Sequence, residues 1–197
     1  MKPQIVIIDD NTEFNEPFLV QSRKTYGSDN VFLYKKSKDG LDHIIKNMDK
    51  AMVVVLDIKF STGEENGHQI LEHVRQQTQL IPVIIWSAYG NSPKEDFTDF
   101  VNNHAFSIIN KSDGLKIFDE IQKAVSFLNL RVDVVLEQWL SAKNDRSELI
   151  LATKSGKTYS ANDLLKEIRL QTEQGIKLQN NIIYLAIDLL FQGERNI

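Results

Sequence analysis

The sequence predicts a doubly wound α/β domain followed by a mainly helical module, and three observations carry that prediction. Five short apolar runs punctuate the first 110 residues: "IVII" (5–8), "VFLY" (31–34), "MVVVL" (52–56), "PVIIW" (82–86) and "FSII" (106–109). Most are rich in β-branched residues and apolar on both faces, which suits strands covered on both sides, as in parallel sheets. Helix-period stretches alternate with them, at about 12–26, 40–48, 67–77, 93–104 and from 113 onward. Five such β-α units in about 125 residues make one doubly wound sheet.

The elements follow in order. Pro17 falls inside the first helix pattern, where its missing N–H and its ring bend the helix or delay its start. In "SPKE" (92–95), Ser92 is the cap, Pro93 the first helical residue and Glu95 the capping-box partner of the fourth helix. In "KSDG" (111–114), Ser112 or Asp113 caps the fifth. Neither an internal repeat nor a low-complexity segment interrupts the series.

Composition narrows the classes. The chain of 197 residues is 42% hydrophobic and 25% charged, enough for one good-sized core, or for one standard domain plus a smaller appendage. Cysteine is absent, which removes disulfides and thiolate metal sites. "MKPQIVIIDD" meets acids after four consecutive apolar residues and so lacks a signal-peptide core, and no run is long enough to span a bilayer. A soluble cytoplasmic protein is expected. Residues 1–129 carry 14 Lys+Arg against 18 Asp+Glu, and residues 130–197 carry 9 against 9. Neither part has the basic excess that binding to a phosphate backbone favours.

The chemistry gathers at strand ends. Asp9 and Asp10 follow the first strand and Asp57 follows the third. In the flavodoxin-like order 2-1-3-4-5 those strands are neighbours at the topological switch point, where ligands bind. Three carboxylates so close repel one another, and a hard, oxygen-loving divalent cation is the natural neutraliser. The fourth strand ends at Ser87 beside the small Ala88, and the fifth at Lys111, a cation aimed at the same rim.

This set of residues resembles the receiver domain of two-component response regulators. The likeness rests on "IVIIDDN" with Asp9 and Asp10, "VVVLD" with Asp57, "IIWSA" with Ser87 and Ala88, and "SIINK" with Lys111, and it spans residues 1–128. It implies transfer of a phosphoryl group from a histidine kinase or a phosphotransfer protein onto Asp57. It further implies Mg²⁺ held by Asp10, Asp57 and the backbone carbonyl of Lys59, with Asp9 acting through water. Lys111 would neutralise the phosphoryl oxygens, and Ser87 with the N–H of Ala88 would bond the new phosphate. On this likeness the chain is a phosphoacceptor regulator rather than an enzyme acting on a substrate.

Three departures from the receiver pattern are visible. The loop "IKFSTGEENG" after Asp57 is about two residues longer than usual and has no proline. Ser112 stands where most receivers have a proline. Ile108 replaces a switching aromatic, with Phe106 out of register, so rotation of a ring there is unavailable. His43, His68, His73 and His104 have no metal-ligand spacing, and Trp86 reads as core.

Beyond residue 128 lies a helical output or dimerisation module, 129–197. Ile121, Val125, Leu128, Val132, Val135 and Trp139 recur at a 4-3-4-3-4 spacing, the seam of a coiled coil, which predicts an extended last helix and a homodimer. The alternative is an amphipathic helix folded back on its own domain. A small hairpin is expected over 148–160, turning at Ser155-Gly156, and then helices at about 161–171, capped by "SAND", and 176–191, with "TEQG" (172–175) as the break between them. "IIYLAIDLLF" (182–191) is apolar nearly all round and its helix has Lys177 as its only base, which argues against a DNA-recognition helix. Output through a downstream protein partner is the expectation. A DNA-binding regulator is the first rival and a phosphorylation-gated enzyme the second.

Overall fold

The computed structural model describes the backbone of residues 2–88, 98–114, 116–141, 149–152 and 158–193. The described chain falls into two compact units that meet between Leu130 and Arg131.

The first unit is built on five parallel strands: β1 (Gln4–Ile8), β2 (Val31–Tyr34), β3 (Met52–Leu56), β4 (Val83–Ser87) and β5 (Ser107–Asn110). Their order is β2-β1-β3-β4-β5, as the sequence predicts. β1 pairs with β3 from Gln4–Met52 to Ile8–Leu56, and this register brings the ends carrying Asp9 and Asp57 side by side. The three central strands are fully buried. Alternate side chains such as Val6, Ile8, Val54, Leu56 and Ile85 join one core with Ile44, Ile70, Leu71 and Phe100. Full burial on both faces explains why these strands read as unbroken apolar runs rather than alternating ones.

The helices are α1 (Pro17–Tyr26), α2 (Ser37–Lys46), α3 (Gly67–Gln77), α4 (Thr98–Asn102) and α5 (Lys116–Asn129). Pro17 delays α1, which begins at the proline itself, where the lost N–H needs no partner. Asn66 and Gln69 form a reciprocal capping box on α3. The Ser92–Pro93–Glu95 start falls outside the described residues. A turn of 3₁₀ helix at Lys111–Asp113 precedes α5 and is capped by the Asn110 side chain, which accepts from the Ser112 N–H at 2.9 Å. The cap of α5 itself, expected at Ser112 or Asp113, adjoins Leu115, which falls outside the described residues.

The helical pattern past Leu128 is divided. α5 ends at Asn129 and α6 (Val132–Ser141) takes over after Leu130 and Arg131. Ile121 and Leu128 are buried in the first unit, so two of the six expected coiled-coil seam residues are spent in that unit's own core. The seam is not continuous.

The second unit holds α6, a two-stranded antiparallel sheet of β6 (Leu149–Ala152) and β7 (Thr158–Ser160), α7 (Ala161–Arg169) and α8 (Glu173–Gly193). The expected hairpin is therefore present; its Ser155-Gly156 turn lies outside the described residues. Ser160 and Asp163 make the capping box of α7. α8 starts within "TEQG" rather than after it, because Gly175 sits in its first turn where the helix passes close to α7: a Cβ there would overlap the Glu167 carbonyl. Tyr159, Leu164, Ile168 and Leu178 form the apolar core, with Leu136 and Ile182 against it.

Beside this core lies a cluster of charge. Arg169 donates to Asp133 at 3.0 Å and to Glu137 at 2.7 Å, and all three are buried. Arg131 grips Asp133 with two further bonds, at 2.9 and 3.0 Å. Among the described residues, no helix is long and apolar enough to cross a membrane.

Candidate functional site

The rim formed by the carboxyl ends of β1, β3, β4 and β5 collects the predicted side chains. Asp9, Asp10 and Asp57 each place a carboxylate oxygen within 4.8 Å of the others. Asp9 and Asp57 are buried and Asp10 is half-buried. Lys111 reaches between them, its Nζ 2.7 Å from Asp9 Oδ2 and 2.6 Å from Asp57 Oδ2. Burial alone would lower the pKa of this ammonium and is the largest single influence. Hydrogen bonds and charge from Asp57 and Asp9 together outweigh it and hold the pKa above its ordinary value. Lys111 is thus a fixed cation.

Backbone donors orient the acids. Asp9 Oδ1 accepts the N–H groups of Asn11 at 2.8 Å and Thr12 at 3.0 Å, and Asp57 Oδ1 accepts that of Ile58 at 2.7 Å. Ser87 is buried at the last position of β4 and Ala88 is exposed just after it. Lys59 is exposed at the start of the loop that follows Asp57. The carboxylate cluster is a hard oxygen donor set carrying three negative charges against one ammonium, and it fits a small divalent cation such as Mg²⁺. Asp10 and Asp57, with Asp9 and the Lys59 carbonyl, are the groups that would hold it.

Several residues at this rim have roles beyond the predicted set. Ser61, from the long loop, donates to Asp10 Oδ2 at 2.9 Å. Glu64, from the same loop, accepts from the Ser37 N–H at 3.0 Å and its hydroxyl at 2.8 Å, at the start of α2. Lys35, just past β2, donates to the carbonyls of Asp10 and Thr12 and pairs with Glu13 at 2.9 Å, pinning the loop that carries Asp10. Lys35 was legible in principle, since it ends a strand beside β1. Ser61 and Glu64 were not, because loop residues carry no periodic signal.

Trp86 is core, as expected, and its edge packs on Phe18 at 4.7 Å between ring centroids. It also carries Lys111, whose Nζ lies 5.4 Å from the ring centre, within cation–π range. An open cleft of about 640 Å³ lies beside Lys111, lined by Asn11, Glu16, Phe18, Trp86 and Lys116 among others. Ile108 packs on the core and Phe106 instead meets Phe127 at 5.7 Å. Three of the four histidines have structural partners: His43 bonds Tyr34 at 2.7 Å and Gln4 at 3.1 Å, His68 stacks on Phe100, and His73 sits 3.3 Å from Glu65.

No family model matches the sequence, and no curated protein matches it. The likeness is one of fold. The signal receiver domain of a Luxo repressor protein from Vibrio parahaemolyticus superposes with a TM-score of 0.53 at 16% identity, over 73% of this chain and 100% of that one. A CheY-like response regulator receiver domain from Methanospirillum hungatei gives 0.51 at 17% identity, over 66% and 98%. A response regulator receiver domain from Clostridium thermocellum gives 0.51 at 22% identity, over 65% and 98%. The first unit thus has the receiver fold: a five-stranded parallel sheet of flavodoxin-like topology with helices around it.

Proposed function

We propose that this protein is a response regulator whose first unit accepts a phosphoryl group on Asp57 and whose second unit passes the signal on through protein contacts. The observation that carries the reading is Lys111 set between Asp9 and Asp57 at 2.7 and 2.6 Å, on the rim that a receiver fold uses. Stability alone does not call for these charges, because replacing a whole buried ion pair by well-packed apolar side chains is often neutral or stabilising.

The step follows from the residues. A carboxylate oxygen of Asp57 attacks the phosphorus of a phosphohistidine on the donor protein. The new O–P bond forms as the P–N bond breaks, and the leaving imidazole keeps the electron pair and takes up a proton. Lys111 meets the negative oxygens of the transferring group and stays with the product, exchanging one carboxylate partner for phosphate. The Ser87 hydroxyl and the Ala88 N–H then donate to a phosphoryl oxygen, a contact made in one state and absent in the other. Bound Mg²⁺ would neutralise charge on the carboxylates and the incoming phosphoryl oxygens. Asp9 and its two backbone donors hold Lys111 from the far side.

The test is intact mass after incubation with acetyl phosphate, with and without Mg²⁺. A gain of one phosphoryl group is expected only with Mg²⁺, and none is expected in Asp57→Asn. A gain that persists in the variant would refute the assignment. The DNA-binding rival gains nothing from α8, on which Lys177 is the only base.

A further inference from the structure

Past Ile182, α8 leaves the core of its own unit. Every residue from Ile183 to Phe191 is exposed, and the segment reads Ile-Tyr-Leu-Ala-Ile-Asp-Leu-Leu-Phe. Leu190 is 72% exposed, Tyr184 65% and Phe191 63%. A helix apolar on all sides is ordinarily a buried one, and a contiguous apolar surface of this kind marks an interaction site. Scattered single residues would need no cover; nine in succession with one charge do.

We infer that a second copy of α8, running antiparallel, covers this face. Two features select that occupant. Ile176, Asn180, Ile183, Ile187 and Leu190 recur at a 4-3-4-3 spacing and are all exposed, so α8 presents a coiled-coil seam with one polar member. The charges then set direction. Lys177 and Asp188 lie 11 residues apart, close to three turns, and share one side of the helix. A two-fold axis near Ile183 brings Lys177 of one copy opposite Asp188 of the other, twice over, and Ile176 opposite Leu190. A parallel pair sets like charge beside like. The antiparallel contact is isologous and closes at two copies. From Ile176 to Phe191 it runs about 24 Å at 1.5 Å per residue.

This seam stands in place of the one expected over 121–139, of which Ile121 and Leu128 are core. It does not depend on the phosphorylation reading, because nothing at the rim enters the argument.

The absence of cysteine makes the test direct. Full-length protein should sediment as a dimer, and Ile183→Glu with Ile187→Glu should weaken the dimer at least about 100-fold while leaving the helical circular dichroism intact, since both residues are exposed in the single chain. Single-cysteine proteins Ile176→Cys and Leu190→Cys, mixed and treated with a short bismaleimide, should cross-link to each other, and neither should cross-link efficiently alone. A wild type that is monomeric at every concentration overturns the proposal, whether the face then binds vesicles of anionic lipid or nothing. So does a dimer that the glutamates leave unchanged, or Leu190→Cys protein that cross-links to itself. If the glutamate variant fails to fold, the mixed cross-link alone decides.

Discussion

The two units solve the same problem with opposite materials. The first buries three apolar strands between two helical layers, so its stability is spread over many side chains such as Ile5, Val55, Leu71 and Ile84. Among its described residues the second has a core cluster of four buried apolar side chains and sets Asp133, Glu137 and Arg169 beside them with almost no exposure. A small unit has too little interior to be stabilised by apolar area alone, and its buried charges then fix how the helices meet. The first unit should therefore tolerate the loss of one side chain far better than the second.

The largest effect should come from Arg169. Arg169→Met leaves Asp133 and Glu137 buried with part of their bonding gone, and breaking such a network costs about 3–5 kcal/mol. The comparison can be read directly, because Trp86 lies in the first unit and Trp139 in the second. In single-tryptophan versions the Trp139 transition should collapse toward low denaturant while the Trp86 transition stays. A joint shift of both would mean the units do not unfold independently.

Mg²⁺ should do the reverse. By relieving repulsion among Asp9, Asp10 and Asp57, it should raise the stability of the first unit by about 2.7 kcal/mol at one hundred times its dissociation constant. The Trp86 transition should move and the Trp139 transition should not, and Asp10→Ala should abolish the movement.

Gly175→Ala ranks next. The added methyl meets the Glu167 carbonyl, which is backbone and cannot swing aside, so α7 and α8 must part at a cost of about 1–3 kcal/mol. Thermal denaturation should again place the loss in the second unit alone.

The smallest effect concerns acid. Burial, helped by the charge of Lys50, holds the His43 pKa below its ordinary value near 6.5. The folded state therefore resists a proton that the unfolded chain accepts. This contribution is fully present above about pH 6.5 and is lost as pH falls below it. All four histidines precede residue 131, so the second unit has no counterpart. His43→Gln should flatten the slope of stability against pH between 7 and 5 for the first unit; an unchanged slope would assign it to the carboxylates.

The comparison also explains what could be read in advance. Strand order and the gathering of Asp9, Asp10, Asp57 and Lys111 were legible because long apolar runs fix the sheet and the sheet fixes its ends. The break at Leu130–Arg131 was not, since no glycine or proline marks it and the heptad spacing continues through it. Nor was the ionic cluster: Arg169 and Asp133 stand 36 residues apart, and each alone resembles an ordinary surface charge. Gly175 misled for a related reason, reading as a helix break while serving as a point of close approach between helices.

The long loop after Asp57 offers one last consequence. The Gly67 N–H donates to the Ile58 carbonyl at 2.9 Å, and a Cβ on Gly67 would overlap the Asp57 carbonyl. The chain thus leaves and re-enters at a single knot, and the intervening residues form a ring hung from it. Circumference is then free to vary while the knot stays tied, which is how extra residues are accommodated without disturbing the register of Asp57. The ring is also a lever arm: it holds Asp10 through Ser61 and the start of α2 through Glu64, so anything that grips the ring from outside pulls on both.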